Sequence, residues 1–344
     1  MYYSLRSDIT GLTTFGVPAT AKEFFRIDKE EEIEDLYARG VLETPGLLIL
    51  GGGSNLLFVN DPQGPVIHLA LKGIKGMDNT AEEAVVSCAA GESWDDLVEA
   101  TVNAGFYGLE NLSLIPGSVG AAPVQNIGAY GIELKDVFHS LRAFDMKDGS
   151  WKEFDHSDCV FEYRSSVFKT KLKGRMIITN VRFRLSRKGA LNTSYGNIAD
   201  ELKEMECSMP GPKDVRQAVI RVRRSKLPDP AELGNAGSFF KNPAVEKDIA
   251  DQLSRENKNM PAFPQPDGRV KLAAGWLIEQ CGWKGYREGN VGVHSRQALV
   301  LVNHGGASGA EVLALANKLI QSVYERFGVV LEPEVNIIGG PVNG

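Results

Sequence analysis

The segment 115–131, IPGSVGAAPVQNIGAYG, constrains this chain more than any other stretch of its sequence. Glycine and proline interrupt the segment so often that it can form neither one helix nor one strand. Glycine adopts positive φ and lets backbone N–H groups approach a ligand closely. Successive N–H groups in such a loop form a concave site for an anion, so the segment predicts a binding loop for a group such as a pyrophosphate.

A second glycine-rich turn, GGGSN at Gly51–Asn55, lies earlier in the chain between two apolar runs. Three consecutive glycines cost conformational entropy on folding, and an ordinary hairpin turn needs only one or two. A simple strand–turn–strand without a ligand is the alternative explanation. Two such loops in one chain favour a large, phosphate-bearing cofactor that is held from two sides.

Length and charge limit the class of protein. A chain of 344 residues predicts two or three domains. A net charge of −6 argues against a general nucleic-acid binder but allows a local basic pocket. No apolar run is long enough to span a membrane, and the first residues lack the apolar core of a signal peptide. The scattered cysteines and histidines show no metal-ligand spacing, so we expect free thiols, a cytoplasmic location and no bound metal.

Hydrophobic periodicity predicts alternating strands and helices. The predicted strands are 21–27, 46–50, 56–59, 65–71, 84–89, 137–145, 151–154, 176–185, 298–302, 329–331 and 335–338, and the predicted helices are 29–39, 94–104, 212–225, 272–281 and 308–327. The polar, broken stretch 189–215 is expected to be a linker or a functional loop. Neither the dinucleotide-binding nor the P-loop glycine motif is present, which argues against Rossmann and P-loop folds.

The two glycine loops resemble the flavin-binding loops of the UDP-N-acetylenolpyruvoylglucosamine reductase family, which acts in bacterial peptidoglycan synthesis. Further matching motifs follow in the family's order along almost the whole chain. They are TFG at 14–16, GLENL at 108–112, FEYRSSVF at 161–168, SYG at 194–196, RRSKLPD at 223–229, NAGSFFKNP at 235–243, KLAAGWLI at 271–278 and LEPEV at 331–335.

The resemblance implies an FAD-dependent oxidoreductase with non-covalent FAD and with NADPH as the hydride donor. In the implied cycle, NADPH reduces the flavin and leaves, and the enolpyruvyl ether of UDP-N-acetylglucosamine then enters. A hydride adds to C3 of the vinyl group and an enzyme acid protonates C2, which gives UDP-N-acetylmuramic acid. Negative charge develops beside a carboxylate, so the site must supply cations and hydrogen-bond donors there.

Three residues carry the implied chemistry. Ser238 matches the family's proton donor, although from the residues alone it is better explained as a cap or turn hydroxyl. Arg164 matches the arginine near the substrate carboxylate, where a planar guanidinium suits bidentate binding. Glu334 matches the second residue of the enolate site, where its carboxyl would have to share a proton or orient Arg164.

The resemblance also implies the binding residues. The implied FAD-binding residues are Gly51, Gly52, Gly53, Ser54, Asn55, Ile115, Pro116, Gly117, Ser118, Gly120, Ala121, Gln125, Asn126, Gly128 and Tyr130. The implied substrate-binding residues are Tyr195, on a loop that closes over the pyrophosphate, together with Lys226, Asn242 and Gln297. Asn336 departs from the family pattern because many relatives carry a basic residue there, which leaves a contact from that side chain to flavin or substrate unsupported.

The implied fold is α+β with three domains. Residues 1–72, together with about 336–344, form FAD-binding subdomain 1, and 73–212 form FAD-binding subdomain 2. These two make up a vanillyl-alcohol-oxidase-type (PCMH-type) FAD-binding fold, and 213–335 form a substrate-binding α+β domain. We expect a monomer that binds NADPH and the enolpyruvyl nucleotide, but neither nucleic acid nor membranes. The alternatives are a flavin oxidase or dehydrogenase for another substrate, or a non-catalytic nucleotide-sugar-binding protein with this fold.

Overall fold

The computed structural model describes residues 1–77 and 80–340. They divide into two compact units. The first unit contains Met1–Ser7, Ala21–Gly52 and Pro62–Ser225, and the second contains Asp8–Thr20, Gly53–Asp61 and the chain from Lys226 onward. The division falls inside the GGGSN turn, so that Gly51 and Gly52 belong to the first unit and Gly53 to the second. The three-domain boundaries stay a prediction.

Strands and helices alternate throughout the described residues. The strands are β1 (Tyr2–Asp8), β2 (Thr20–Ile27), β3 (Leu48–Leu50), β4 (Leu56–Phe58), β5 (Val66–Leu69), β6 (Ile74–Met77), β7 (Glu83–Ala89), β8 (Gly128–Ala129), β9 (Ile132–Glu133), β10 (Phe138–Asp145), β11 (Ser150–Asp155), β12 (Met176–Ser186), β13 (Gly234–Ser238), β14 (Ala244–Val245), β15 (Ala262–Pro264), β16 (Val270–Leu272), β17 (Arg287–Glu288), β18 (Val291–Val293), β19 (Val300–Asn303) and β20 (Asn336–Ile338). The helices are α1 (Glu31–Ala38), α2 (Trp94–Asn103), α3 (Ile198–Glu204), α4 (Pro212–Lys226), α5 (Lys247–Glu256), α6 (Ala274–Gln280) and α7 (Gly309–Phe327). Short 3₁₀ turns occur at Thr10–Leu12, Val41–Glu43, Glu110–Leu112, Val119–Gln125 and Leu134–Asp136.

The first unit contains two larger sheets. In one, with strand order β1-β2-β5-β3, β2 and β3 each run parallel to β5. Ile33 and Leu36 of α1 lie in the same core as Phe25 of β2 and Ile67 of β5. The other sheet has the order β11-β10-β12-β7-β6, and all its pairs are antiparallel. The apolar face of α2 packs in the core of this sheet, where Trp94 is fully buried.

The stretch 189–215 is more regular than the sequence predicted. It contains α3, whose apolar residues Ile198 and Leu202 share a small core with Val215 and Val219 of α4. Polar residues dominate α3, and Ile198 and Leu202, which lie one helical turn apart, are its buried apolar residues. Two apolar residues are too short a pattern for a helix to be recognised from the sequence.

The second unit combines the C-terminal part of the chain with β4. Its sheets have the orders β13-β19-β18-β17 and β14-β16-β15, and β20 runs parallel to β4. The long helix α7 begins with a capping box formed by Ser308 and Glu311 and ends at Gly328, whose φ is +67°. Because β3 pairs with β5 and β4 with β20, the two strands that flank GGGSN do not form a hairpin, and the binding of a ligand by this turn stays a prediction.

The predicted mixed α+β class and all five predicted helices are confirmed. The strand predicted at 329–331 is wrong. Val329 and Leu331 are buried, as the apolar pattern indicated, but the segment is not part of a strand ladder. Burial of alternate side chains therefore does not need a paired strand at this position.

Candidate functional site

The two predicted glycine loops meet in the first unit. The backbone N–H of Gly52 donates to Oγ of Ser118 at 3.1 Å. A Cβ built on Gly52 would lie 2.7 Å from Cα of Gly117, and one built on Gly51 would lie 2.4 Å from Oγ of Ser118. Both distances are shorter than real Cβ contacts, so glycine at 52 lets the two backbones touch and glycine at 51 leaves room for the Ser118 hydroxyl.

The loop 115–131 is fixed over the start of α2. The N–H of Trp94 donates to the Gly117 carbonyl at 3.0 Å, and the N–H groups of Val119 and Gly120 donate to the carbonyls of Glu92 and Ala90 at 2.9 Å each. These bonds join the loop to the first residue of α2 and to the residues just before the helix. The loop is therefore a rigid part of the fold, even though it contains little regular secondary structure.

Some of the backbone strain of the protein lies in this loop and just before it. Leu114, Asn126 and Tyr130 have φ values of +58°, +45° and +50°, and Gly117 has +126°. A non-glycine residue in this region costs roughly 1–2 kcal/mol. Such conformations persist only where surrounding contacts enforce them, and they cluster at ligand sites. The loop thus has the irregular backbone that an anion-binding site needs.

Arg164 lies at the tip of a two-residue turn that approaches this loop. The backbone N–H and C=O groups of Glu162 and Ser165 bond each other in both directions at 3.1 Å, and Arg164 has a φ of +54°. Its Nη2 donates to the Gly128 carbonyl at 2.7 Å, and its guanidinium lies 5.5 Å from the ring centre of Tyr163. The structure therefore brings Arg164 next to the predicted flavin loop.

The Tyr195 loop also contacts the loop 115–131. Nδ2 of Asn111 donates to the carbonyls of Tyr130 and Asn192, at 3.0 and 2.8 Å. A Cβ on Gly196 would lie 2.8 Å from the Tyr130 ring, so the chain passes close to that ring. The Tyr195 side chain itself is 61% exposed. Its backbone is thus anchored while its side chain faces solvent.

A charged cluster beside the loop contains two residues, Asp95 and Arg216, that were not predicted as part of the site. Arg216 forms a bidentate pair with Asp95 at 2.6 and 3.0 Å, and Asp95 also accepts the N–H of Leu114. Burial alone would raise the pKa of Asp95, but these hydrogen bonds outweigh it and lower the pKa. Burial lowers the pKa of Arg223, which is next to Tyr130. The arginine-rich C-terminal half of α4 was the available sequence signal.

In the second unit, Gly53 is required by a contact within the protein. The N–H of Thr14 donates to the Gly53 carbonyl at 3.2 Å. Gly53 has a φ of +59°, and a Cβ there would lie 1.9 Å from the carbonyl oxygen of Leu12. Both the conformation and the space exclude any other residue at this position, whether or not a ligand is bound.

Asn55 connects the same turn to the C-terminal segment. Its Nδ2 donates to the Glu334 carbonyl at 3.2 Å. Its own carbonyl accepts the backbone N–H of Asn336 at 3.0 Å and Nδ2 of Asn336 at 3.2 Å. The side chain at 336, which departs from the family's basic residue, is therefore used to bind the turn.

Ser238 and Glu334 lie on neighbouring segments of the second unit. The pairing of β13 with β19 is irregular between Asn235 and Ser238, and Gly237 has a φ of +69°. Such a bulge redirects side chains, and Ser238 is exposed between buried residues. The N–H of Glu334 donates to the Phe239 carbonyl at 2.8 Å, so the structure brings these two predicted catalytic residues together.

The remaining predicted substrate residues lie in the second unit as well. Oδ1 of Asn242 accepts the N–H of Ala274 at the start of α6, at 3.0 Å. Oε1 of Gln297 accepts the N–H of Leu299 at 3.3 Å. Lys226 is exposed at the last residue of α4. The contacts of these residues with substrate stay predictions.

No helix within 1–77 and 80–340 is long and apolar enough to cross a membrane. Over the same ranges, no group of three or more His, Cys, Asp or Glu side chains is placed to hold a metal ion.

Known proteins resemble this chain along nearly its whole length. The family model for the FAD binding domain matches residues 22–155, and that for the C-terminal domain of UDP-N-acetylenolpyruvoylglucosamine reductase matches residues 229–338. The reductase of that name from Pseudomonas savastanoi pv. phaseolicola is 49% identical over 324 residues, 94% of this chain and 95% of its own length. The one from Chromobacterium violaceum is 49% identical over 332 residues, with 96% and 97% coverage. The crystal structure of UDP-N-acetylenolpyruvylglucosamine reductase from Thermus caldophilus superposes with a TM-score of 0.64 at 23% identity and covers 98% of both chains, so it has the same fold.

These matches define a flavoprotein oxidoreductase in which an FAD-binding fold is followed by a separate C-terminal domain. The predicted FAD-binding fold is thereby confirmed. More particularly, the chain belongs to the UDP-N-acetylenolpyruvoylglucosamine reductase family.

The residues present fit a non-covalently bound FAD. The loop 115–131 combines left-handed residues with glycines, its backbone at Gly117 packs directly against Gly52, and the hydroxyl of Ser118 packs against Gly51. A backbone surface with so few side chains allows the close approach of a pyrophosphate. The GGGSN turn contains no His or Cys to which a flavin could be attached.

Proposed function

We propose that this chain catalyses the NADPH-dependent reduction of UDP-N-acetylglucosamine enolpyruvate to UDP-N-acetylmuramate, a step of peptidoglycan synthesis. The observation that carries the proposal is the 49% identity, over 94% of the chain, to reductases of this name. FAD, when bound, supplies the hydride that it has received from NADPH. The residues of the chain bind and orient the substrate and supply a proton.

Ser238 is proposed to protonate C2 of the substrate. A serine hydroxyl is a weak acid, so it can serve only a strongly basic carbon and only from a fixed position. The next two residues, Phe239 and Phe240, are each 1% exposed and belong to the core of the second unit. The N–H of Phe239 also donates to the Leu299 carbonyl at 2.8 Å. These anchors support Ser238 as a rigidly placed acid.

Arg164 and Glu334 are proposed to stabilise the negative charge that develops on the substrate. A guanidinium presents five donors in a planar fork, so its bond to the Gly128 carbonyl is compatible with bidentate binding of a carboxylate. Asn55 holds the backbone of Glu334 from the GGGSN turn. That support favours a fixed carboxyl, which can share a proton with the enolate.

Tyr195, Lys226, Asn242 and Gln297 are proposed to bind the nucleotide half of the substrate. The exposed ammonium group of Lys226 suits a phosphate. Because Oδ1 of Asn242 is used at the start of α6, its contact with substrate would come from Nδ2. The exposed ring of Tyr195 on an anchored backbone suits a side chain that closes over the pyrophosphate.

We further propose that the protein acts as a monomer in the cytoplasm. Cys88 and Cys159 are buried free thiols, and burial raises the pKa of each to about 12, so they are inert in a reducing compartment. NADPH and the enolpyruvyl nucleotide are the partners that the reaction requires.

The colour of the flavin tests the reaction directly. Purified protein should be yellow, should be bleached by NADPH under anaerobic conditions, and should be re-oxidised on addition of the enolpyruvyl nucleotide. Rapid re-oxidation by oxygen but not by the nucleotide would instead indicate a flavin oxidase. Nucleotide binding without any bleaching by NADPH would indicate a non-catalytic binding protein, and either outcome would contradict the proposal.

A further inference from the structure

Asn126 was expected to bind the cofactor, but its amide group is used within the protein. The side chain is fully buried, with 0% of its surface exposed. Its Nδ2 donates to the Glu162 carbonyl at 3.0 Å and to Oε2 of Glu133 at 3.2 Å. Its Oδ1 accepts the backbone N–H of Lys135 at 3.0 Å. Asn126 therefore joins the glycine-rich loop to the turn that carries Arg164.

The contact acts on a strained turn. The Glu162 carbonyl that accepts Asn126 Nδ2 also accepts the N–H of Ser165, so one oxygen closes the turn and fixes it to the loop. Arg164, the second of the two central residues, has a φ of +54°, where glycine or asparagine is usual. A strained residue of this kind needs contacts that hold it in place.

The tip of the arginine is held by the same short stretch of loop. Nη2 of Arg164 donates to the carbonyl of Gly128, two residues after Asn126. A Cβ on Gly128 would lie 3.2 Å from Nη1 of Arg164, so the guanidinium packs closely on this glycine. Residues 126–128 thus position both the backbone and the guanidinium of Arg164.

We propose that Asn126 is a positioning residue for Arg164 and determines how well the site recognises the carboxylate of the substrate. This inference rests on the proposed function, in which Arg164 binds that carboxylate. Loss of the Nδ2 donor would leave this segment tied to the loop by the bond from Arg164 Nη2 to the Gly128 carbonyl and by that from Ser166 Oγ to the Val124 carbonyl at 2.7 Å. The backbone at Glu162 would no longer be fixed to Asn126, so the arginine could shift. A displacement of about 1 Å at a reacting group can cost roughly a hundredfold in rate.

Two substitutions separate the donor from the shape of the residue. Asn126→Asp keeps the size, the Oδ1 acceptor and the tolerance of positive φ, but it directs an acceptor toward the oxygens of Glu162 and Glu133. Asn126→Gly removes the side chain and keeps the backbone conformation. Asn126→Asp combined with Glu133→Gln removes the charge repulsion, and because Glu133→Gln also removes the ion pair of Glu133 with Lys135, this double variant is compared with Glu133→Gln alone.

The matched control is Asn180→Asp in β12. Oδ1 of Asn180 accepts from Oγ of Ser87 at 2.8 Å, and this acceptor is kept in the variant. The control makes the same chemical change in the same unit, away from the turn of Arg164.

The experiment measures both half-reactions by stopped flow on the FAD-loaded protein, and ligand affinity by calorimetry. We expect the Asn126 variants to slow re-oxidation by the enolpyruvyl nucleotide about 10–100-fold and to change flavin reduction by NADPH less than about twofold. Affinity for the enolpyruvyl nucleotide should fall, whereas affinity for UDP-N-acetylglucosamine, which lacks the carboxylate, should not. In an Arg164→Ala background, Asn126→Asp should cause little further slowing of re-oxidation, because Asn126 acts through Arg164.

Three results would overturn the positioning role. They are equal slowing of both half-reactions, full additivity with Arg164→Ala, or weak FAD binding by Asn126→Gly, which would return Asn126 to the cofactor site. Failure of the wild-type flavin to be re-oxidised by the enolpyruvyl nucleotide would instead contradict the proposed function, so the two failures are distinguishable.

Discussion

Substitution of Gly52 by alanine tests whether the two glycine loops must touch. The new Cβ would lie 2.7 Å from Cα of Gly117 and 2.8 Å from N of Ser118, and ordinary contacts begin at 3.4 Å. The loops would therefore have to separate by about 0.7 Å, which is the difference between 3.4 and 2.7 Å. The bond from the Gly52 N–H to Oγ of Ser118, now 3.1 Å, would then exceed hydrogen-bond length.

The expected loss of free energy in Gly52→Ala follows from the hydrogen bonds that the substitution would break or strain. Loss of one hydrogen bond, together with strain in the bond from Trp94 to the Gly117 carbonyl, is worth about 1–3 kcal/mol. If FAD binds the close-packed arrangement, the same free energy appears in its dissociation constant, roughly tenfold for each 1.4 kcal/mol. Equilibrium dialysis of FAD and urea unfolding of the protein measure the two effects.

Gly51→Ala is the matched control because its Cβ meets a side chain instead of backbone. The nearest atom is Oγ of Ser118 at 2.4 Å, and the next is Cβ of Ala121 at 3.6 Å. Ser118→Ala should therefore accommodate Gly51→Ala, so that the double variant is no less stable than Ser118→Ala alone. The same change should not rescue Gly52→Ala.

Two outcomes would refute this reasoning. One is a Gly52→Ala protein that binds FAD and unfolds like the parent, and the other is equal rescue of both glycine variants by Ser118→Ala. Gly53 is less informative, because its φ of +59° and the Leu12 carbonyl at 1.9 Å from a Cβ would damage any variant regardless of FAD.

Further predictions concern the chemical step, substrate binding and pH. Ser238→Ala should leave flavin reduction by NADPH nearly intact and should slow re-oxidation by the enolpyruvyl nucleotide by about 10²–10⁴-fold. Ser238→Cys should retain part of the re-oxidation rate. Stopped-flow traces in which Ser238→Ala slows flavin reduction but not re-oxidation would exclude Ser238 as the acid. Lys226→Ala should raise KM for the nucleotide, whereas the exposed Lys247→Ala should not, and equal steady-state kinetics in the two variants would remove Lys226 from the site. Burial would raise the pKa of Asp95, but the hydrogen bonds from Arg216 and from the N–H of Leu114, together with the charges of Arg216 and Arg223, outweigh it and lower the pKa in the fold. The stabilising contribution of Asp95 is therefore present above the unfolded pKa of about 3.9 and is lost as pH falls through the folded pKa. The stability difference between wild type and Asp95→Asn in urea should therefore shrink between pH 7 and pH 3.5, and a difference that grows as pH falls would contradict this sign.

Local signals in the sequence were sufficient for much of the fold. The capping box at Ser308, the glycine stop at Gly328 and the prolines after Lys226 each act within a few residues, and the helices they bound are present. In contrast, α3 is recognised only by its packing against α4, which depends on tertiary contacts. The boundaries of elements were therefore predictable wherever capping chemistry, and not packing, determined them.

That the glycine loops form the centre of the site stays a prediction, and part of their physical role could not be predicted from the sequence. The sequence indicated glycines that make room for a ligand. In the structure, Gly51, Gly52 and Gly53 first make room for other parts of the chain, namely Ser118, Gly117 and the Leu12 carbonyl. A run of glycines in a sequence indicates that a Cβ is excluded at those positions, but it does not show which neighbouring group excludes it.

Asn55, the last residue of the GGGSN turn, binds a segment of the chain that is distant in the sequence. Asn55 donates to the Glu334 carbonyl and accepts from both nitrogen atoms of Asn336, across some 280 positions of sequence. These bonds hold the backbone of the residues on both sides of Val335, which is itself buried. The GGGSN turn therefore fixes where the backbone of Glu334 lies. The family's basic residue at 336 is replaced here by a side chain short enough to reinforce that contact. The departure at 336 is therefore consistent with an intact site, because Asn336 supports Glu334 through Asn55 and need not contact the flavin.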